Sequence, residues 1–216
     1  MADLSNIKNV ETKRREAVVV FCDTTGFSNF ARRTADRPEV HTELLLSLYR
    51  RAHAYQVETK CFLKRECDGM MFVHVYDRRP AADDVIGVLL AIERFQKDCE
   101  ATIRAIPYPR PDGFLVRVTM GVVWEMTITK EAPTGCAMEH CGGLHEYDYW
   151  EYATILASRM LDSHKKEPRV CCQSVKEVAG RTRKITFSKL PRERRVPDGV
   201  FPEDMQDQWA FGSKRS

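Results

Sequence analysis

Apolar residues first gather at 17–22, an unbroken Ala-Val-Val-Val-Phe-Cys run. A β-branched run with no polar alternation predicts a strand buried on both faces. It stops at Asp23-Thr-Thr-Gly26, after which 27–32 reads as the start of a short helix. From about 39 to 57, Leu45, Leu48, Tyr49, Ala52 and Tyr55 fall at helical spacing and predict a long helix. Residues 61–63 and 70–76 read as the arms of a hairpin, with 64–69 as its polar turn. A second long helix is predicted from about 81 to 104, marked by Val85, Leu89, Ile92, Cys99 and Ile103. It ends before 107–113, where Pro107, Pro109 and Pro111 leave no path for a helix. Residues 114–128 alternate as one long strand or a strand pair, and 129–145 form a polar excursion. A helix at 151–163, a strand at 169–173, a short helix at 175–178 and strands near Ile185 and Trp209 complete the pattern. This order predicts an α+β fold, an antiparallel-rich sheet with helices packed on it. The chain shows no internal repeat and no low-complexity segment.

A length of 216 residues suits one substantial core. We divide the chain into an N-terminal tail (1–14), a main domain (15–190) and a C-terminal strand and tail (191–216). A net charge of +3 is too small to imply a nucleic-acid partner. The longest apolar run, 85–92, is interrupted by Gly87 and far too short to span a membrane. Residues 1–15 lack the apolar stretch of a secretory signal. Eight cysteines, including the adjacent Cys171 and Cys172, fit no disulfide framework, so a reducing cytoplasm is expected.

Asp23 is the first candidate for chemistry. It lies where a buried strand meets a glycine turn that opens a helix. Such a corner offers a carboxylate and the Thr24 carbonyl to a hard cation, and the amides of Gly26, Phe27 and Ser28 to a phosphate. Capping the helix is the bland alternative. Asp68 alters that balance. If the hairpin pairs beside strand 17–22, both aspartates reach the same end of the sheet, where they repel unless a cation joins them. Two divalent ions held there would align an attacking hydroxyl and neutralise leaving phosphates. On helix 151–163, Ala153, Leu156, Ala157, Met160 and Leu161 make the core stripe. Tyr152, Ile155 and Arg159 line another face, and Asp148 joins that face if the helical path extends back to it.

Four segments resemble the motifs of class III adenylate and guanylate cyclases. Val18-Val-Val-Phe-Cys-Asp-Thr-Thr-Gly-Phe-Ser28 resembles the first metal motif, and Lys64-Arg-Glu-Cys-Asp-Gly-Met70 resembles the Lys-Thr-Ile-Gly-Asp-Gly hairpin. Val116-Arg-Val-Thr-Met-Gly121 resembles the arginine-bearing strand. Tyr147-Asp-Tyr-Trp150, continuing to Ala157-Ser-Arg-Met160, resembles the Tyr-Asp-x-Trp to Ala-Ser-Arg helix. The four stand in family order between residues 16 and 173.

The resemblance implies a ferredoxin-like, palm-like core working as a head-to-tail homodimer with composite active sites. It also implies closure of a nucleoside triphosphate to a 3′,5′-cyclic monophosphate and pyrophosphate. In that scheme Asp23, Asp68 and the Thr24 carbonyl bind two Mg²⁺ or Mn²⁺ ions. Gly26, Phe27, Ser28 and Arg117 hold phosphates, Lys64 and Asp148 read the base, and Arg159 stabilises charge on the α-phosphoryl group.

Departures from the family pattern bear on the substrate. Ile155 stands where the family carries asparagine, and the stretch around Trp124 is bulkier than usual. The C-terminal phosphate-binding lysine has no clear match, although Lys189, Arg192, Arg194 and Arg195 lie near its expected place. Lys64 with Asp148 suits adenine. A small solitary cyclase of this kind nevertheless resembles the pyrimidine cyclases of bacterial antiphage (Pycsar) systems. There the Trp124 segment, or Tyr49 and Tyr55, would narrow the base pocket. The expected substrate is UTP or CTP, and the product a second messenger for an effector that the enzyme itself does not bind. Adenylate cyclase and a non-catalytic nucleotide-binding module are the alternatives. Cys136, His140, Cys141 and His145 could ligate zinc, but they lack a Cys-x-x-Cys knuckle and read rather as a loop with reduced cysteines.

Overall fold

The computed structural model describes residues 12–66, 68–106, 115–130, 147–149, 157, 160, 167–180, 182–191 and 207–214. Its framework is a sheet whose central strand β1 (Thr12–Thr25) pairs antiparallel with β3 (Gly69–Tyr76) on one side and β4 (Leu115–Lys130) on the other. The strand β2 (Phe62–Glu66) extends the sheet beyond β3. Past β4 come β6 (Arg169–Cys172), β8 (Gln208–Ser213) and β7 (Ile185–Lys189), giving the order β2-β3-β1-β4-β6-β8-β7. A short β5 (Tyr147–Tyr149) pairs with the far end of β4. Only the β4–β6 pairing is parallel among these ladders. The fold is α+β, as the element order predicts.

Both faces of β1 are covered. Val18, Val20 and Cys22 pack on one side against α2 (Pro38–Thr59) and α3 (Ala82–Ala105), through Leu44, Leu48, Ala52 and Tyr55 of the first and Val85, Leu89, Ile92 and Cys99 of the second. Ala17 and Val19 meet Met71, Val73 and Ala157 on the other side. This two-sided burial explains why the run at 17–22 carries no polar alternation. Of the helix expected at 151–163, Ala157 and Met160 are described, and both are helical and fully buried, as their place in the apolar stripe requires.

Three differences from the sequence expectation have clear causes. β1 begins at Thr12, five residues before the apolar run, because backbone pairing to β4 needs no apolar side chains. The hairpin turn is shorter than 64–69: Lys64, Arg65 and Glu66 pair with Met71, Met70 and Gly69 as part of β2. Asp148 is on a strand opposite Thr129, so the helical path does not extend back to it. No described helix is long and apolar enough to cross a membrane.

Candidate active site

The end of β1 supplies the site's first corner. Gly26 adopts φ 88 and ψ 1, a left-handed conformation that glycine takes without a Cβ clash, and so turns the chain sharply into α1 (Phe27–Arg33). Phe30 donates its amide to the Gly26 carbonyl at 3.0 Å. The helix itself therefore offers the amides of Phe27 and Ser28 no acceptor, and a phosphate oxygen would suit them.

The register puts the two aspartates at one end of the sheet. Asp23 pairs with Gly69, so Asp68 is the residue beside its cross-strand partner. Thr24 completes the corner, donating its hydroxyl to the Asp68 carbonyl at 3.2 Å. The half-buried Asp68 carboxyl is pushed above the usual carboxylate range by loss of hydration, partly countered by a backbone hydrogen bond. A desolvated carboxyl gains from a cation that restores the lost solvation. The donors at this corner are all hard oxygens, which fits Mg²⁺ or Mn²⁺.

Arg117 stands opposite Asp23 on β4, at the same end of the sheet. Lys64 pairs with Met71, and Met71 with Phe21, a row two residues along from Asp23. Strand alternation puts that row on the same side as Asp23, the side away from α2 and α3. Asp148 is not in this row: the row reaches β4 at Thr119, whereas Asp148 pairs with Thr129. Arg159 and Ile155 lie outside the described residues, as do Cys136, His140, Cys141, His145, Arg192, Arg194 and Arg195.

The two tyrosines do not narrow a pocket on the Lys64 side. Tyr55 is buried among Phe72 and Phe95 on the helix side, its hydroxyl 3.0 Å from Nε2 of His74. Tyr49 packs against the same core and lies under the Arg65 guanidinium. Both serve the α2 interface because their helical spacing puts them on its inner stripe. Lys189 is 2.7 Å from Asp207 and stacks over Trp209, so it is engaged in the β7–β8 region. A cleft of about 620 Å³ between α2 and α3 lies on the outer helical layer, away from the paired aspartates, and we do not assign it to the site. The Thr24 hydroxyl is the contribution that motif reading passes over; its one sequence signal is a hydroxyl where the buried alternation calls for an apolar side chain.

No protein-family model and no curated protein matches this chain. Among solved structures it is similar to the adenylyl cyclase CyaB from P. aeruginosa, with a TM-score of 0.72 and 14% identity over 95% of this chain and 97% of that one. It is also similar to the guanylyl cyclase Cya2, with a TM-score of 0.64 and 13% identity over 93% and 92%. The guanylate cyclase domain of RhGC from Catenaria anguillulae, solved with GTP, gives 0.66 and 13% over 94% and 100%. The chain thus has the fold of a class III nucleotide cyclase catalytic domain.

Proposed function

We propose that this protein is a metal-dependent nucleotide cyclase that converts UTP or CTP to the 3′,5′-cyclic monophosphate and pyrophosphate. The observation that carries the reading is the pairing of Asp23 with Gly69, which sets Asp68 beside Asp23 at the corner where Gly26 opens α1.

The roles are those the motifs imply. Asp23, Asp68 and the Thr24 carbonyl hold two divalent cations, and the amides of Gly26, Phe27 and Ser28, with Arg117, hold the β- and γ-phosphates. Bound there, the cations supply charge that activates the ribose 3′-hydroxyl and stabilises the leaving group. The 3′-oxygen forms a bond to the α-phosphorus as the bond to the pyrophosphate oxygen breaks, and the hydroxyl proton is released. Arg159 stabilises the charge that builds on the α-phosphoryl oxygens. By the motif match Lys64 and Asp148 contact the base, Asp148 from a position farther along β4 than the Lys64 row.

The residues of one site come from two chains in this reading, so the working unit is a head-to-tail homodimer. The choice of a pyrimidine rests on the resemblance to small solitary pyrimidine cyclases, with Ile155 and the bulk around Trp124 as departures from a purine site, and signalling in antiphage defence is the setting that this subtype implies. Adenylate cyclase activity is the second reading, favoured by the match of Lys64 and Asp148 to the family's adenine-reading positions.

The test is complementation. Asp23→Ala and Arg159→Ala should each lower turnover roughly hundredfold or more while the fold is kept. Mixed under subunit exchange, the two proteins should regain part of the activity, because one site of the mixed dimer is intact and the other carries both lesions. Full activity in the Asp23→Ala protein would overturn the metal assignment. No recovery in demonstrated mixed dimers would overturn the shared site.

A further inference from the structure

Thr24 is 1% exposed, and the preceding helix-side residues of β1, Val18, Val20 and Cys22, are apolar. A hydroxyl in that setting costs stability unless it has a partner. Its partner is the main-chain carbonyl of Asp68, 44 residues away in sequence and outside the β1–β3 ladder, which ends at the Asp23–Gly69 pair. The bond therefore extends the attachment of the hairpin turn to β1 by one link beyond regular strand pairing.

We propose that the Thr24 side chain is a positioning residue that sets Asp68 against Asp23 before any cation arrives. The inference rests on the two-metal reading above and adds to it a role for the hydroxyl, separate from that of the Thr24 carbonyl. Two carboxylates drawn onto one cation site repel until the cation arrives, and repulsion at a turn is relieved by splaying the turn. A tether on the Asp68 backbone opposes that movement. Strand alternation puts Thr24 on the opposite side of β1 from Asp23, so the tether holds the turn from the helix side without competing for the cation. Groups held in place before binding give higher affinity than groups that must be gathered on binding.

The experiment is a Mn²⁺ titration of the full-length protein, reading free Mn²⁺ by electron paramagnetic resonance, on wild type, Thr24→Val, Thr24→Ser and Asp68→Asn. Circular dichroism confirms that each variant is folded. Valine keeps the branched shape and removes the hydroxyl; serine keeps the hydroxyl. The wild type should bind, and Asp68→Asn should lose binding. Thr24→Val should bind about tenfold more weakly, the scale of one net hydrogen bond, with Thr24→Ser within about twofold of wild type. The Mn²⁺ concentration for half-maximal turnover should rise in parallel for the valine variant. Wild-type affinity in a folded Thr24→Val protein would overturn the positioning role and leave the two-metal reading standing. An equal loss in valine and serine variants would also overturn it, since shape and not the hydroxyl would then matter. A wild-type protein that binds no Mn²⁺ would overturn both.

Discussion

His74 is the clearest single residue at which the surroundings dictate chemistry. It lies on β3, 5% exposed, edge-on to Tyr55 and bonded to its hydroxyl. Burial lowers its ionisation from the ordinary value of 6.5 to about 4. The folded protein thus keeps His74 neutral where an unfolded chain would already bind a proton. More protons on the unfolded state mean that stability rises with pH through this window and falls as pH drops from about 6.5 toward about 4. The full loss is about 3 kcal/mol at most. Urea unfolding at pH 7 and pH 4.5 should show a larger drop for wild type than for His74→Gln, which retains a hydrogen-bond acceptor for Tyr55 but does not titrate. Equal drops would show that His74 carries none of the pH dependence. The sequence gives no hint of this pair: a histidine between two valines in a strand is buried or exposed according to what packs on it, and α2 decides that from a distance. Asp23 differs, because strand, aspartate and glycine turn are contiguous in sequence and can be read together.

At the scale of elements, Glu93 on α3 joins the helix to the far strands. It is 4% exposed; its carboxylate accepts from the Ser213 amide at 2.6 Å and the Ser213 hydroxyl at 3.0 Å, with the Lys97 ammonium at 2.7 Å. Arg169 of β6, 3.9 Å from the same carboxylate, also donates to Gln96 and to the Phe211 carbonyl. Burial alone would raise the Glu93 carboxyl, yet Lys97, Ser213 and Arg169 outweigh it and hold it below the usual range. Glu93→Ala leaves the Arg169 charge and the Ser213 amide without this partner and should cost about 2 kcal/mol or more in urea unfolding. A cost below about 0.5 kcal/mol, the range of ordinary surface changes, would refute the clamp. Long elements such as α2 and α3 are legible in sequence because their periodicity extends over many turns. β5 and the first residues of β1 are not, since backbone ladders between distant segments leave no mark on side-chain pattern. The Glu93 clamp joins residues 120 apart, a pairing that local reading cannot find.

For the molecule as a whole, sheet order converts sequence motifs into a site. With β1 between β3 and β4, the rows of Asp23 and Lys64 lie together on the side away from α2 and α3. The motif order along the chain carries the class of fold, and the conjunction of Asp23 with Asp68 follows once β3 pairs with β1. Base choice is not legible in the same way. A pocket's width depends on which side chains converge from separate elements, and Tyr49 and Tyr55 turn out to serve the α2 core instead. The proposed reaction is cyclisation of a pyrimidine nucleotide. Its most direct test offers the purified protein UTP, CTP, ATP and GTP separately with Mn²⁺ and identifies products by mass spectrometry. Cyclic UMP or cyclic CMP with pyrophosphate should form at least about tenfold faster than cyclic AMP, a gap of about 1.4 kcal/mol in transition-state binding. Cyclic AMP without a pyrimidine product would contradict the base assignment, and no cyclic product from any of the four would contradict the enzyme itself.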